Sequence, residues 1–257
     1  MADSQGFVGV FDSGVGGISI LKCLIDELPH EDFRFFGDSA NAPYGDRSAD
    51  EVLALSRAIT DAMVSEGAKA VVIACNTATA AAAEPLRRAY PDVPIIGVEP
   101  ALKPAVLANL QGRVLVMATA LTLSLEKFHR LSKRWGSAAE VIPVPCVGLV
   151  DRIEHGDLDA NDLHALLESL VGEYRGSVDG VVLGCTHYPF VKQQIREVLG
   201  DVAFYDSGEG TARRLRSQLE EHGLLATRDR AGTVSFASSR DTQEELALYE
   251  RFFAMQI

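Results

Sequence analysis

The sequence predicts an α/β protein of two similar domains with mainly parallel sheets, related by pseudo-two-fold symmetry and facing each other across a cleft. One stretch occurs twice, at residues 71–77 (VVIACNT) and 181–187 (VVLGCTH). Apolar residues with paired valines are typical of a buried parallel strand, and a cysteine follows each copy. Around both copies the chain repeats the order β-α-β-α-β-α-β. Since ligands bind beyond the carboxyl ends of parallel strands, we expect both cysteines at the cleft.

Local signals support each element of the first half. Ser48 with Glu51 three residues later forms a capping box that begins a helix, and Gly67 ends that helix. The predicted elements are strand 7–11, helix 18–28, strand 33–36, a helix from the capping box to 67, the cysteine strand from about 70, a helix to 90 and strand 94–98.

The second half follows the same order, and residues 101–105 are the expected crossing between the domains. The predicted elements are strand 113–118, loop 119–122, a helix to about 135, strand 141–144, a helix from 159 to about 174, the second cysteine strand, helix 191–199 and strand 202–205. The tail holds helix 211–222, strand 233–236 and helix 242–253, and its pattern does not predict where it packs.

Composition excludes several function classes. The 257 residues are 47% hydrophobic and 23% charged, as in ordinary globular proteins, and the net charge of −12 argues against nucleic acid or an anionic membrane as the main partner. No apolar run approaches the ~20 residues that span a bilayer. Residues 1–6 lack the basic and apolar regions of a signal peptide. We therefore expect a cytoplasmic protein with reduced thiols.

The cysteine spacing argues against a metal site. Cys23, Cys75, Cys146 and Cys185 form no CxxC pair and no Cys/His spacing typical of zinc. Cys23 lies inside a predicted helix and is interpreted as a core residue.

A glycine-rich loop at residues 12–17 (DSGVGG) follows the first strand. A dinucleotide site would need a third glycine where Ser19 stands, although Asp38 resembles the acid that holds a ribose. Asp12 would also place a negative charge near the phosphates. An anion or zwitterion site fits better, because N–H groups at a helix N-terminus hold carboxylates while Asp12 accepts from an ammonium group or acts as a base.

The paired cysteines favour proton exchange at a stereocentre. One buried cysteine after a strand is usually a core residue, but two in matched contexts are harder to explain that way. A helix N-terminus is expected to lower the pKa of each thiol. Asp12 beside Cys75 and His187 beside Cys185 are candidate helpers. A racemase needs a base on each face of the α-carbon, whereas nucleophilic cysteine catalysis leaves the second thiol unexplained.

Four motifs closely resemble those of the glutamate racemase family, within the cofactor-independent aspartate/glutamate racemase superfamily. They are residues 12–17 (DSGVGG), 43–45 (PYG), 74–78 (ACNTA) and 184–189 (GCTHYP). The resemblance implies interconversion of L- and D-glutamate, supply of D-glutamate for peptidoglycan, no cofactor and a possible homodimer. It also implies that the tail returns to a first domain of residues 1–99 plus 212–257, with 100–211 as the second.

The resemblance also implies roles for individual residues. Cys75 and Cys185 resemble the acid/base thiols, Asp12 and His187 their assisting groups, and Glu154 an acid near His187. Substrate contacts are implied for a larger set: Asp12, Ser13, Tyr44, Gly45, Asn76, Thr77, Thr119, Thr122, Thr186 and His187.

Three alternatives remain open from the sequence. A sister racemase for aspartate or another amino acid would use the same two thiols and differ only in its side-chain pocket. A non-catalytic amino-acid receptor would need neither cysteine. A thiol redox sensor would leave Asn76, Thr186 and His187 without a role.

Overall fold

Two parallel sheets organise the chain, with strand orders β4-β3-β1-β2-β9 and β6-β5-β7-β8. The computed structural model describes residues 6–257; residues 1–5, on which the expected lack of a signal peptide rests, lie outside them. The strands are β1 Phe7–Asp12, β2 Phe33–Gly37, β3 Ala68–Ile73, β4 Ile95–Gly97, β5 Arg113–Ala118, β6 Glu140–Pro145, β7 Gly180–Leu183, β8 Ala203–Tyr205 and β9 Val234–Ser238. The predicted class of two parallel-sheet α/β domains is confirmed.

The described helices cover the faces of these sheets, and none is long and apolar enough to cross a membrane. They are α1 Ile18–Glu27, α2 Ala49–Ser65, α3 Asn76–Ala89, α4 Leu102–Ala108, α5 Ala120–Ser124, α6 Glu126–Trp135, α7 Leu149–Glu154, α8 Asn161–Val171, α9 Lys192–Leu199, α10 Gly208–Glu221 and α11 Gln243–Ala254. The predicted capping box is present, with Ser48 accepting from the Glu51 N–H and Glu51 accepting from the Ser48 N–H.

One predicted loop was wrong, and one short helix was not predicted. Residues 119–122 are not a loop, because the Thr119 hydroxyl accepts from the Thr122 N–H and caps the short helix α5. Helix α7 was not predicted, since its six residues are too few to show an apolar repeat. The crossing at 101–105 also lies mostly within α4.

Strand register fixes what lies at the cleft. β1 pairs with β3 and places Phe11 opposite Ile73, while β5 pairs with β7 and places Met117 opposite Leu183. The chain beyond these four residues therefore emerges at the carboxyl edges of the two sheets, as the sequence predicts.

The tail packs on the first sheet, where β9 pairs with β2. A buried ion pair joins this region to β3: Lys69 Nζ lies 2.6 Å from Glu31 Oε2 and donates to the Leu224 carbonyl at 2.7 Å. Glu31 also accepts from the Ala226 N–H at 2.7 Å. Both charges are nearly inaccessible to solvent, so each depends on the other for compensation.

We predict that Lys69→Met destabilises the protein by about 3–5 kcal/mol, because it leaves the Glu31 carboxylate buried without its counter-charge. The free energy of unfolding from urea titration is the measurement. The double variant Lys69→Met/Glu31→Leu should recover part of the loss. A single variant that unfolds at the wild-type urea midpoint would contradict the prediction.

Candidate active site

The first cysteine lies where β1 and β3 end side by side. Cys75 is the N-cap residue of α3, and its sulfur accepts from the Ala78 N–H at 3.4 Å. Ser13 Oγ lies 3.9 Å from Cys75 Sγ and donates to Asp12 Oδ1 at 3.3 Å. Cys75, Ser13 and Asp12 are all buried. The predicted proximity of Asp12 to Cys75 therefore holds.

The expected fall in thiol pKa is wrong for Cys75. Burial raises the pKa of Cys75, and the negative charge of Asp12 raises it further; together they outweigh the N–H of Ala78 at the helix N-terminus. Burial likewise raises the pKa of Asp12, against the lowering effect of His187. Cys185 is not a helix cap, since the chain after it runs into a 3₁₀ turn at Tyr188–Val191.

The side chains of Cys185, His187 and Glu154 form a hydrogen-bonded series. Cys185 Sγ lies 3.6 Å from His187 Nδ1, and His187 Nε2 lies 2.5 Å from Glu154 Oε1. The histidine side chain is only 2% exposed, whereas the Glu154 side chain at the end of α7 is 16% exposed. Because a carboxylate oxygen accepts at Nε2, the neutral ring carries its proton there and turns the Nδ1 lone pair toward the thiol. The sequence placed Glu154 near His187 only by resemblance.

Opposing effects set the proton affinity of this histidine. Burial disfavours the charged ring, but the hydrogen bonds to Cys185 and Glu154 outweigh burial and raise the pKa of His187 well above its ordinary value. The imidazolium form is therefore held between a carboxylate and a sulfur atom.

The glycine-rich loop allows the second domain to approach closely. A Cβ atom on Gly14 would lie 1.8 Å from Glu154 Oε1, and one on Gly16 would lie 2.3 Å from His187 Nδ1. The Val15 N–H donates to Glu154 Oε1 at 3.0 Å, and the Gly14 N–H donates to Asp12 Oδ1 at 2.9 Å. Two N–H groups of the predicted anion site thus bind carboxylates of the protein itself.

Three threonine hydroxyls meet between the domains. Thr77 Oγ1 lies 3.0 Å from Thr119 Oγ1 and 3.1 Å from Thr122 Oγ1, and Thr119 donates to Thr122 at 2.9 Å. A Cβ on Gly45 would lie 2.9 Å from the Thr119 side chain, so this loop also borders the cluster. If each hydroxyl donates to the next around the ring, every oxygen keeps one lone pair for a ligand, and a hydroxyl that rotates out of the ring can donate to a ligand instead.

Asn76 and Thr186 provide further polar groups. Asn76 is 5% exposed, and neither atom of its side-chain amide has a hydrogen-bond partner among the described residues. Such groups are rare inside proteins and indicate a ligand site. The Thr186 hydroxyl donates to Asp12 Oδ2 at 2.9 Å across the cleft.

Tyr44 completes the predicted set, with a partner that the sequence did not assign. Its hydroxyl donates to Asp38 Oδ2 at 2.6 Å, and Asn41 donates to the same carboxylate. Asp38 therefore positions Tyr44 rather than a ribose. The sequence offered no signal for Ser19, whose hydroxyl lies 2.8 Å from the Thr186 carbonyl oxygen.

Hydrogen bonds and neighbouring positions in the chain link Cys75 through Ser13, Asp12 and Thr186 to Cys185, His187 and Glu154. The chemical roles of the predicted site residues stay predictions. No group of three or more His, Cys, Asp or Glu side chains among residues 6–257 is arranged to hold a metal ion. A cavity of about 770 Å³ lies elsewhere, and its lining includes Cys23 but neither Cys75 nor Cys185.

Comparisons with known proteins cover both domains. Residues 19–232 match the model of the Asp/Glu/hydantoin racemase family. The chain is 43% identical over 251 residues to a glutamate racemase of Clostridium perfringens, covering 97% of this chain and 96% of that protein. The glutamate racemase of Francisella tularensis in complex with D-glutamate superposes with a TM-score of 0.84 at 28% identity, covering 99% and 96% of the two chains. The Escherichia coli glutamate racemase in complex with L-glutamate and the activator UDP-MurNAc-Ala gives 0.85 at 28% identity, covering 96% and 95%.

We predict that Glu154→Gln lowers the pKa of His187, because the amide keeps the hydrogen bond to Nε2 but removes the negative charge that stabilises the imidazolium. NMR titration of labelled histidine is the measurement, with the His187 signal assigned by His187→Asn. Asp151→Asn is the matched control, since Asp151 is an exposed acid of the same helix.

The raised pKa of His187 determines how the stability of the fold changes with pH. Protonation of His187 stabilises the fold below its unfolded pKa, and that contribution is lost as pH rises through its folded pKa. The loss should be smaller in Glu154→Gln. An unchanged His187 titration in Glu154→Gln would show that the carboxylate does not control the ring.

Proposed function

The chain belongs to the Asp/Glu/hydantoin racemase family, and we propose that it is a glutamate racemase that interconverts L- and D-glutamate with Cys75 and Cys185 as its two bases. The observation that carries this proposal is the placement of one buried thiol on each domain, each beside its own ionisable helper. Relatives described with D-glutamate and L-glutamate support glutamate as the substrate.

The reaction removes a proton from one face of the α-carbon and adds a proton to the opposite face. The thiolate on one face takes the α-proton, the electron pair of the C–H bond stays on the α-carbon beside the carboxylate, and the thiol on the other face donates a proton to that carbon. By resemblance, Cys75 deprotonates D-glutamate and Cys185 deprotonates L-glutamate. After each turnover the two thiols have exchanged protonation states.

The helpers differ in charge, and we assign them different tasks. His187 has a raised pKa and places an imidazolium 3.6 Å from the sulfur of Cys185. Asp12 instead places a negative charge beside Cys75 and adds to the effect of burial in raising the pKa of that thiol, so the charge of Asp12 must be neutralised. An ammonium group of the substrate beside Asp12 offsets that charge and makes the Cys75 thiolate more accessible.

We assign the remaining polar groups to the substrate carboxylates. Asn76 and Thr186 lie next to the two thiols in the chain and suit the α-carboxylate, whereas the cluster of Thr77, Thr119 and Thr122 suits the side-chain carboxylate. Ser13, Tyr44 and Gly45 complete the contacts. This two-base chemistry requires no metal or organic cofactor.

From the same family relationship we further propose the domain boundaries, the location, the oligomeric state and the biological role of the enzyme. The first domain comprises residues 1–99 plus 212–257 and the second 100–211. The protein works in the cytoplasm, as a possible homodimer, and supplies D-glutamate for peptidoglycan.

Substrate choice is tested by incubating the protein with each L-amino acid, followed by chiral chromatography. We expect racemisation of glutamate to exceed that of aspartate and all others, because the threonine cluster fixes the distance to a second carboxylate. Faster racemisation of aspartate would assign the protein to a sister activity.

The two-base assignment is tested by Cys75→Ala and Cys185→Ala. Each should lower racemisation in both directions by about 10²–10⁴-fold or more, the usual contribution of a positioned acid or base. In D₂O the wild-type product enantiomer should gain deuterium before the remaining substrate does. Equal early labelling of substrate and product would indicate one shared base and refute the assignment.

A further inference from the structure

Helix α5 carries two of the three hydroxyls in the threonine cluster. Thr119 caps this helix and Thr122 lies within it, whereas Thr77 belongs to α3. The Thr77 hydroxyl oxygen lies 3.0 Å from Thr119 Oγ1 and 3.1 Å from Thr122 Oγ1. The geometry of the cluster therefore depends on how α5 is held against α3.

Leu121, between these two threonines in the chain, packs on the core of the first domain. It is half-buried and contacts an apolar cluster whose other members lie between residues 7 and 95. Among residues 6–257, Leu121 is the only member of this cluster from outside that range. Helix α5 also lies against α3 and the 3₁₀ turn Tyr44–Asp46. Leu121 thus attaches α5 to the domain that supplies the third hydroxyl.

Side-chain packing sets the position of α5. The helix spans only five residues, too few for its own backbone hydrogen bonds to make it stable. Leu125 separates α5 from α6, because its backbone is extended at φ −80° and ψ 144°. Leu123, also half-buried, packs on a different apolar cluster of residues between 101 and 205. The two leucines therefore attach one short helix to the cores beneath two different sheets.

The distances within the threonine cluster matter for substrate length. Glutamate and aspartate differ by one methylene, so their side-chain carboxylates lie at different distances from the α-carbon. In a well-fitted site one methylene changes the specificity by about 10–200-fold. A site whose groups are loose by about 1 Å loses such discrimination. Attachment of α5 to the first domain is thus a requirement for reading the length of the substrate.

We propose that Leu121 is a positioning residue whose packing on the first domain fixes Thr119 and Thr122 relative to Thr77, and that the fixed cluster makes the site selective for glutamate over aspartate. The selectivity rests on the proposed function, whereas the attachment of α5 does not.

The test of selectivity compares Leu121→Ala with Leu123→Ala, the same truncation at two half-buried positions of one helix. In Leu121→Ala we expect kcat/KM for L-glutamate to fall about fivefold to thirtyfold, because the loss of packed methyl groups frees α5 from the first domain. The fall should come mostly from a higher KM, since the cluster binds the side-chain carboxylate equally in the ground state and the transition state. The value for L-aspartate should change less than about threefold, so the ratio between the two substrates falls.

Two variants serve as controls in the same assay. Leu121→Met keeps the apolar volume and should retain the wild-type substrate ratio. Leu123→Ala should also retain it, because Leu123 belongs to the other cluster. A smaller or equal fall of the ratio in Leu121→Ala than in Leu123→Ala would overturn the role of Leu121 in selectivity.

Hydrogen exchange in the ligand-free protein tests the attachment of α5 without any substrate. Leu121→Ala should speed amide exchange in residues 119–124 about fivefold to thirtyfold, while α6 keeps its wild-type rates, because only the contact with the first domain is lost. Leu123→Ala should speed exchange in α6 as well, since Leu123 shares its cluster with Phe128 of that helix.

The two measurements separate the possible failures. Unchanged exchange of residues 119–124 in Leu121→Ala would overturn the attachment, as would an equal increase throughout the protein. A wild-type protein that fails to racemise glutamate would refute the proposed function and with it the selectivity, yet the exchange comparison would still decide whether Leu121 fixes α5.

Discussion

The pairing of β1 with β3 and of β5 with β7 is the constraint on which the site depends. Parallel pairing places the carboxyl ends of neighbouring strands at one edge. Asp12 and Ser13 therefore lie beside Cys75, although Ser13 and Cys75 are 62 positions apart in the chain. The same arrangement in the second sheet presents Cys185. A slip of register by one residue would turn each strand's side chains to the opposite face and separate these pairs.

Burial determines the chemistry at that edge. Asp12, Cys75 and His187 are almost inaccessible, and burial alone disfavours the charged form of each. Of these three, only His187 has partners that reverse the effect, because hydrogen bonds to Cys185 and to the Glu154 carboxylate favour the charged ring. The site therefore favours charge on the histidine and disfavours it on Cys75, so the charges that a substrate brings become part of the acid–base balance.

Sequence patterns predicted the parts of the site that lie on strands and in local motifs. The repeat around Cys75 and Cys185 gave the two sheets, and the capping box at Ser48 gave the start of α2. Contacts between distant segments could not be predicted, because no local pattern encodes them. Ser19 belongs to this class, since its hydroxyl reaches the Thr186 carbonyl, 167 positions away in the chain, only when the two domains meet. The wrong expectation for the thiol pKa has the same origin: a helix N-terminus is visible in sequence, but the burial that overrides it is not.

The two halves are symmetric in their strands and asymmetric in their helpers, and this difference has a chemical reason. A racemase needs equivalent bases, which duplicated strands provide, but its substrate is chiral and presents different groups to each domain. A carboxyl group lies beside Cys75, whereas the raised pKa of His187 favours a positively charged imidazolium beside Cys185. The glycines at positions 14 and 16 let Glu154 and His187 lie against the first domain, because any side chain there would occupy the space of Glu154 or His187. The symmetry of the fold thus places the thiols, and the differences between the two halves give each thiol a helper of different charge.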